Sequence, residues 1–252
     1  MGMVKRLDTL DPAAPYDELG WLDEVVGGAR VVAIGESAHY NREFYLLRHR
    51  LLRYLVERHG FTAYAMESGF VEGARAGAWV RGGDGEVGQV QAEGITSLMG
   101  LWTELRDQLL WMRGRGVGWY GIDTPGSNAS PLPGVDAVLA YLAEADPDNP
   151  VDTGPRERIA AFAAPSPFSA PAALGTYLQL DQAARDEITA WLADLSARLT
   201  GHRLDYVRRT GPEAYSLAQR AMRLTAALDL MVRLVARGDQ ASMMLTRETS
   251  MA

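Results

Sequence analysis

A chain of 252 residues without a cysteine has no disulfides, no thiolate metal ligands and no cysteine nucleophile. Its formal charge of −7, with arginines interleaved among acids, argues against a nucleic-acid partner, and no run approaches the roughly 18 uninterrupted apolar residues of a membrane span. The polar, acidic start from Met1 to Asp11 lacks the apolar core of a secretory signal, so a cytoplasmic chain with a substantial buried core is expected.

Arg30-Val31-Val32-Ala33-Ile34 is a short continuous apolar run with β-branched residues, read as a strand buried on both faces. Residues 41–58 follow helical spacing, with Phe44, Leu51 and Leu55 on one stripe, Leu47 and Leu52 thickening it, and Gly60 as the stop. Phe61 to Met66 is a second strand, which completes a right-handed βαβ unit. Gly82-Gly83-Asp84-Gly85 reads as a surface loop, Leu101 to Arg113 as a helix, and Gly116 to Ile122 as a third strand. The three prolines between Thr124 and Pro133 demand a loop, and Val135 to Ala145 is helical. Beyond about residue 154 only helical spacing remains, with helices near 155–163, 171–199 and 212–237. The expected fold class is α/β, a mainly parallel sheet flanked by helices, with an all-helical subdomain in the second half. Residues 1–150 are read as the first half of the α/β core, 151–240 as the helical subdomain, and 241–252 as the start of a further block.

Each strand runs out into an acid: Glu36, Glu67 and Asp123. In an open parallel sheet the carboxyl ends of neighbouring strands share one edge, where ligands bind, so these carboxylates are expected to converge with His39 in the first loop. Acids after strands are also commonly helix caps or solvated loop residues, and that reading stands beside the first. Arg48 shares the inward stripe of the first helix and, being unable to deprotonate, needs a carboxylate such as Glu36 or Glu67, unless it snorkels to solvent. His39 is placed to act as a general base near neutral pH. His49 and His59 read as surface residues, and His202 as a linker between helices. No G-x-S-x-G elbow, H-E-x-x-H helix or P-loop is present, so hydrolysis would use activated water rather than a serine acyl-enzyme.

Gly35-Glu36-Ser37-Ala38-His39, Arg42-Glu43-Phe44, Arg48, Leu51-Leu52, Leu55, Gly60-Phe61 and Met66-Glu67-Ser68-Gly69-Phe70 together resemble the opening signature of the erythromycin esterase family. Gly100-Leu101-Trp102-Thr103-Glu104, Trp111-Met112-Arg113, Tyr120-Gly121-Ile122-Asp123 and Asp146-Pro147 are similar to its next block, and Arg247 to Ala252 looks like the start of another. The resemblance covers about residues 25–150 and the last six.

It implies a carboxylic-ester hydrolase that opens macrolide lactones with water and needs no cofactor or metal, an activity tied to antibiotic resistance or secondary metabolism. The residue matching His39 is the base, Arg48 and Glu67 match functional positions, and Glu36 and Glu43 match motif positions. Asp123 and Trp102 complete the candidate substrate-side residues. The physical reading agrees: an acid beside His39 holds its tautomer, and Arg48 could stabilise charge at the ester oxygen. Family members continue past the Met-Ala block, so the rest of that core is expected to be absent from this chain. The expected partner is a small-molecule ester, with no nucleic acid and no membrane. Three other readings remain open: a tailoring enzyme on the same scaffold, a divalent-metal site built from Glu36, His39, Glu67 and Asp123, and a non-catalytic binding module.

Overall fold

Two of the three expected strands form, and they pair in parallel. In the computed structural model, which describes residues 4–128, 130–164 and 169–251, β1 (Ala63–Gly69) lies beside β2 (Gly118–Asp123), with Ala63 opposite Gly118 and Met66 opposite Gly121. A register shift between Met66 and Gly69 brings Gly69 opposite Asp123. Short helix α1 (Leu22–Val26) and α2 (Arg42–His59) precede β1, and α3 (Phe70–Val80), α4 (Val87–Gly94) and α5 (Thr103–Met112) connect the strands. The second half is helical: α6 (Leu132–Ala145), α7 (Gly154–Phe162), α8 (Ala170–Gln179), α9 (Gln182–Gly201), α10 (Arg203–Thr210), α11 (Pro212–Ala236) and α12 (Gln240–Met251). Helix, parallel sheet and helical subdomain together match the expected class.

The run Arg30–Ile34 does not join the sheet. It carries no strand pairing, and Val31 is 81% exposed. A strand buried on both faces needs a paired neighbour and a layer on each side. Here the sheet is covered on one face alone. Tyr64, Met66 and Trp119 point into the core with α3, α4 and α5, while Ala65, Glu67, Tyr120 and Ile122 alternate onto the open face.

Helix α2 starts and stops where its sequence signals place it. Gly60 takes a left-handed φ of 71°, which lets its N–H and that of Phe61 close on the carbonyls of Val56 and Leu55. The buried stripe, however, is Tyr45, His49 and Leu52, with Phe44 and Leu51 only half-buried. The helix is covered on a second side as well, where Arg50 is fully buried and donates to Glu18 and to the carbonyls of Thr9 and Pro15. Two covers rotate the buried arc away from the one periodicity suggests. The long helix expected over 171–199 is two helices, because Asp181 caps α9 by accepting the Ala184 N–H. Among the described residues no helix is long and apolar enough to cross a membrane.

Glycines let α3 lie directly on β2. A methyl at Gly73 would fall 2.6 Å from the Gly121 nitrogen, and one at Gly77 would fall 2.6 Å from the Trp119 carbonyl oxygen. Both obstacles are backbone and cannot swing aside. Gly73→Ala is therefore expected to lower stability by about 1–3 kcal/mol, the usual range for overpacking, as measured by thermal unfolding. Gly175→Ala on α8 meets nothing within 4 Å and should be neutral or stabilise by up to about 1 kcal/mol. Equal effects at the two positions would refute the packing argument.

Candidate active site

The loop before α2 and the end of β1 bring two acids onto one imidazole. His39 Nδ1 lies 2.7 Å from Glu36 Oε1, and His39 Nε2 lies 3.9 Å from Glu67 Oε2. A carboxylate only accepts, so a neutral His39 bonded to Glu36 carries its proton on Nδ1 and leaves the Nε2 lone pair free. His39 and Glu67 are both about half exposed, as their place on the open face requires.

Arg48 supports this pair from behind. Its Nη1 donates to Glu36 Oε2 at 2.9 Å, and its guanidinium sits 4.7 Å over the Tyr45 ring with only 13% of the side chain exposed. Of the two partners the sequence allowed, Glu36 is the one Arg48 meets. Tyr45 in turn stacks on Trp102, with ring centroids 4.9 Å apart. Trp102, at the start of α5, thus acts on the cluster through the floor under Arg48. Burial pushes the Tyr45 hydroxyl up to about 12, so it stays protonated there.

A second arginine reaches the cluster from α12. Arg247 Nη2 donates to Glu67 Oε1 at 3.1 Å, across 180 residues of sequence. The result is an alternating row, Arg48, Glu36, His39, Glu67, Arg247, in which each carboxylate joins the imidazole to a guanidinium. Sequence reasoning did not assign Arg247 to the site. Its only signal was the Arg247 to Ala252 block, since helical periodicity says nothing about a partner so distant.

Two candidates lie elsewhere. Asp123 does not converge with His39: it is 3% exposed on the covered face of β2, and its Oδ1 accepts the Thr124 N–H at 2.8 Å. Side chains alternate along a strand, so an acid at the covered end of β2 cannot share the open face with Glu67. Glu43 is exposed in the first turn of α2. Among the described residues no three metal-ligating side chains gather closely enough to hold a cation, and Asp123, one ligand of that reading, points to the other face.

The remaining histidines correct a second expectation. His49 is not a surface residue but 5% exposed, beside the Trp111 ring at 5.7 Å. Burial, helped by the nearby Arg53 charge, pushes its pKa down to about 4, so it is neutral in the fold. His59 stands 2.9 Å from Asp23 and packs on Tyr54, and His202 is exposed between α9 and α10.

The chain matches the family model described as erythromycin esterase over residues 56–252. It is 36% identical over 143 residues to an erythromycin esterase type II from Escherichia coli, covering 54% of this chain and 33% of that protein. It is 34% identical over 116 residues to an erythromycin esterase type I from Escherichia coli, covering 44% and 28%. Among solved structures, an erythromycin esterase mutant in its open conformation superposes with a TM-score of 0.75 at 21% identity, over 96% of this chain and 60% of that one. A Bacillus cereus protein gives 0.72 at 22% identity over 98% and 58%, and a succinoglycan biosynthesis protein 0.69 at 19% over 97% and 57%. The chain therefore matches about a third of the length of the curated relatives and about three fifths of the solved ones. On the family match across residues 56–252, this chain belongs to the erythromycin esterase family.

Proposed function

We propose that the cluster around His39 hydrolyses an ester or lactone in a bulky natural product of the macrolide class, with erythromycin as the first compound to try. The observation that carries this reading is the alternating row of Arg48, Glu36, His39, Glu67 and Arg247. Its 3.9 Å gap between His39 Nε2 and Glu67 Oε2 is too long for a direct hydrogen bond. It suits one water oxygen about 2.8 Å from each.

In this mechanism His39 Nε2 takes a proton from the water as its oxygen adds to the ester carbonyl carbon. Glu67 accepts the water's other hydrogen and turns a lone pair toward that carbon. Collapse of the tetrahedral intermediate breaks the bond to the alkoxy oxygen, which takes the proton back from His39. The products are a carboxylic acid and an alcohol, joined in one molecule when the substrate is a lactone. Glu36 stabilises the imidazolium in the middle of the cycle, Arg48 fixes Glu36, and Arg247 orients Glu67. Arg48 thus works one residue removed from the ester oxygen, because its Nη1 donates to Glu36 and its Nε and Nη2 are buried. The partner in this reading is a small molecule in the cytoplasm, and the net charge of −7 disfavours a nucleic-acid partner.

The test is incubation of erythromycin with the protein in isotopically labelled water, followed by mass spectrometry. The expected product is heavier by one water, with the label in its carboxyl group. Erythromycin recovered unchanged, or a product labelled only at the alcohol, would overturn the reading.

A further inference from the structure

His39 and Glu67 come from separate elements and share no direct hydrogen bond across their 3.9 Å gap. Both side chains are about half exposed, so close packing does not fix that separation. A short circuit of hydrogen bonds does. Tyr40, the residue after His39, donates its hydroxyl to the Ser97 carbonyl at 2.7 Å. Thr96, the residue before Ser97, donates its N–H to Ser68 Oγ at 3.1 Å, and its Oγ1 accepts the Gly69 N–H at 2.9 Å. Ser68 and Gly69 directly follow Glu67 on β1. The circuit therefore runs from the imidazole, through the segment between α4 and α5, back to the carboxylate.

Backbone strain marks the loop side of this circuit. Tyr40, Ser97 and Leu98 are the non-glycine residues with positive φ among those described, at 60°, 60° and 61°. Such backbone is unfavourable for a residue with a side chain, persists only where its surroundings hold it, and gathers at functional sites. Here both residues joined by the Tyr40–Ser97 hydrogen bond carry it. The segment that receives the bond is itself held in place. Gln91 Nε2 donates to the carbonyls of Gly100 and Trp102, at 3.0 Å each, and Trp102 stacks on Tyr45. Two residues beyond Tyr40, Arg42 Nε donates to Glu104 on α5, so the exit of the loop is tied to the same side.

We infer that Tyr40 is a positioning residue for the proposed reaction, and that its bond to the Ser97 carbonyl sets the gap in which His39 and Glu67 hold the attacking water. The inference rests on the hydrolase reading above and adds what maintains its geometry. One water must lie within hydrogen-bond reach of both groups at once. A hydroxyl that anchors the loop at the residue next to the base keeps that distance without touching the substrate.

The first test needs no turnover. Nitrogen NMR of protein carrying isotopically labelled histidine reads the rings of its 4 histidines, and His39→Asn identifies the signals of His39. Tyr40→Phe removes the hydroxyl and keeps the ring, which stands edge-on to the imidazole with 6.0 Å between centroids. It is expected to shift the His39 signals and leave those of His49, His59 and His202 in place. Thr96→Val should shift the same signals, although it acts from the strand side of the circuit. In steady-state kinetics Tyr40→Phe is expected to lower kcat for erythromycin about tenfold, with KM within about twofold and an unaltered thermal midpoint. In the His39→Asn background the same substitution should change the residual rate by less than about twofold, because no base is left to position. His39 signals that stay in place in Tyr40→Phe, an equal loss of rate in both backgrounds, or a loss that tracks a lowered midpoint would each overturn the positioning role. The hydrolase reading fails on a different result: erythromycin left intact by the unsubstituted protein, while Tyr40→Phe still shifts the His39 signals, would remove the reaction and keep the circuit.

Discussion

His39→Asn is expected to lower kcat for erythromycin hydrolysis by about two to four orders of magnitude, the usual contribution of a positioned general base. Asparagine keeps a polar group of similar reach in the loop, but its amide cannot take a proton from water. The dissociation constant for erythromycin should stay within about twofold, because asparagine keeps much of the volume and a hydrogen-bonding group at that position. Steady-state kinetics with binding measured separately checks both numbers. A loss confined to KM would mean that His39 binds substrate without activating water, and the mechanism proposed here would fall.

Glu36→Gln should cost nearly as much, about two to three orders of magnitude in kcat, although Glu36 never touches the substrate in this mechanism. The glutamate accepts from Nδ1 at 2.7 Å and receives Arg48 at 2.9 Å. A glutamine has one oxygen for these two donors, and its NH2 would face either the imidazole or the guanidinium. If the substituted amide gives its oxygen to Arg48, it offers a donor to Nδ1, and the proton moves to Nε2, where the lone pair is needed. The imidazolium formed during turnover also loses its counter-charge. The diagnostic is a fall in kcat with KM and the thermal midpoint unchanged, and partial recovery in Glu36→Asp. If Glu36→Gln matched the unsubstituted protein, Glu36 would have no part in positioning His39.

Much of the candidate cluster was legible from local sequence because its parts lie close together. Glu36, His39 and Arg48 sit within 13 residues, on one loop and the first turns of one helix. Helical spacing then offers an acid as the partner of Arg48, with solvent as the alternative, and the contact with Glu36 decides between them. Glu67 follows from the same reasoning one strand later. Asp123 was misplaced because the argument counted strand ends without counting sides. With a period of two, whether the last residue of a strand shares the open face depends on register, and the shift between Met66 and Gly69 is invisible to local pattern.

His49 shows the same limit on a helix. One stripe of periodicity assumes one cover, whereas α2 is covered by the N-terminal segment through Arg50 and by the main core through Tyr45 and Leu52.

The amino-acid sequence by itself determined most of the kinds of element, the positions of β1 and β2, the helical second half, and the loop that presents Glu36 and His39. These depend on side-chain period, turn residues and spacing over a few residues, all of which are local. Only the tertiary structure decided which face of the sheet stays open, that Arg247 arrives at Glu67 from 180 residues away, and that Arg30–Ile34 remains unpaired. Those outcomes follow from which surfaces find a cover once the helices have packed, and a competition among distant segments leaves no periodic trace along the chain.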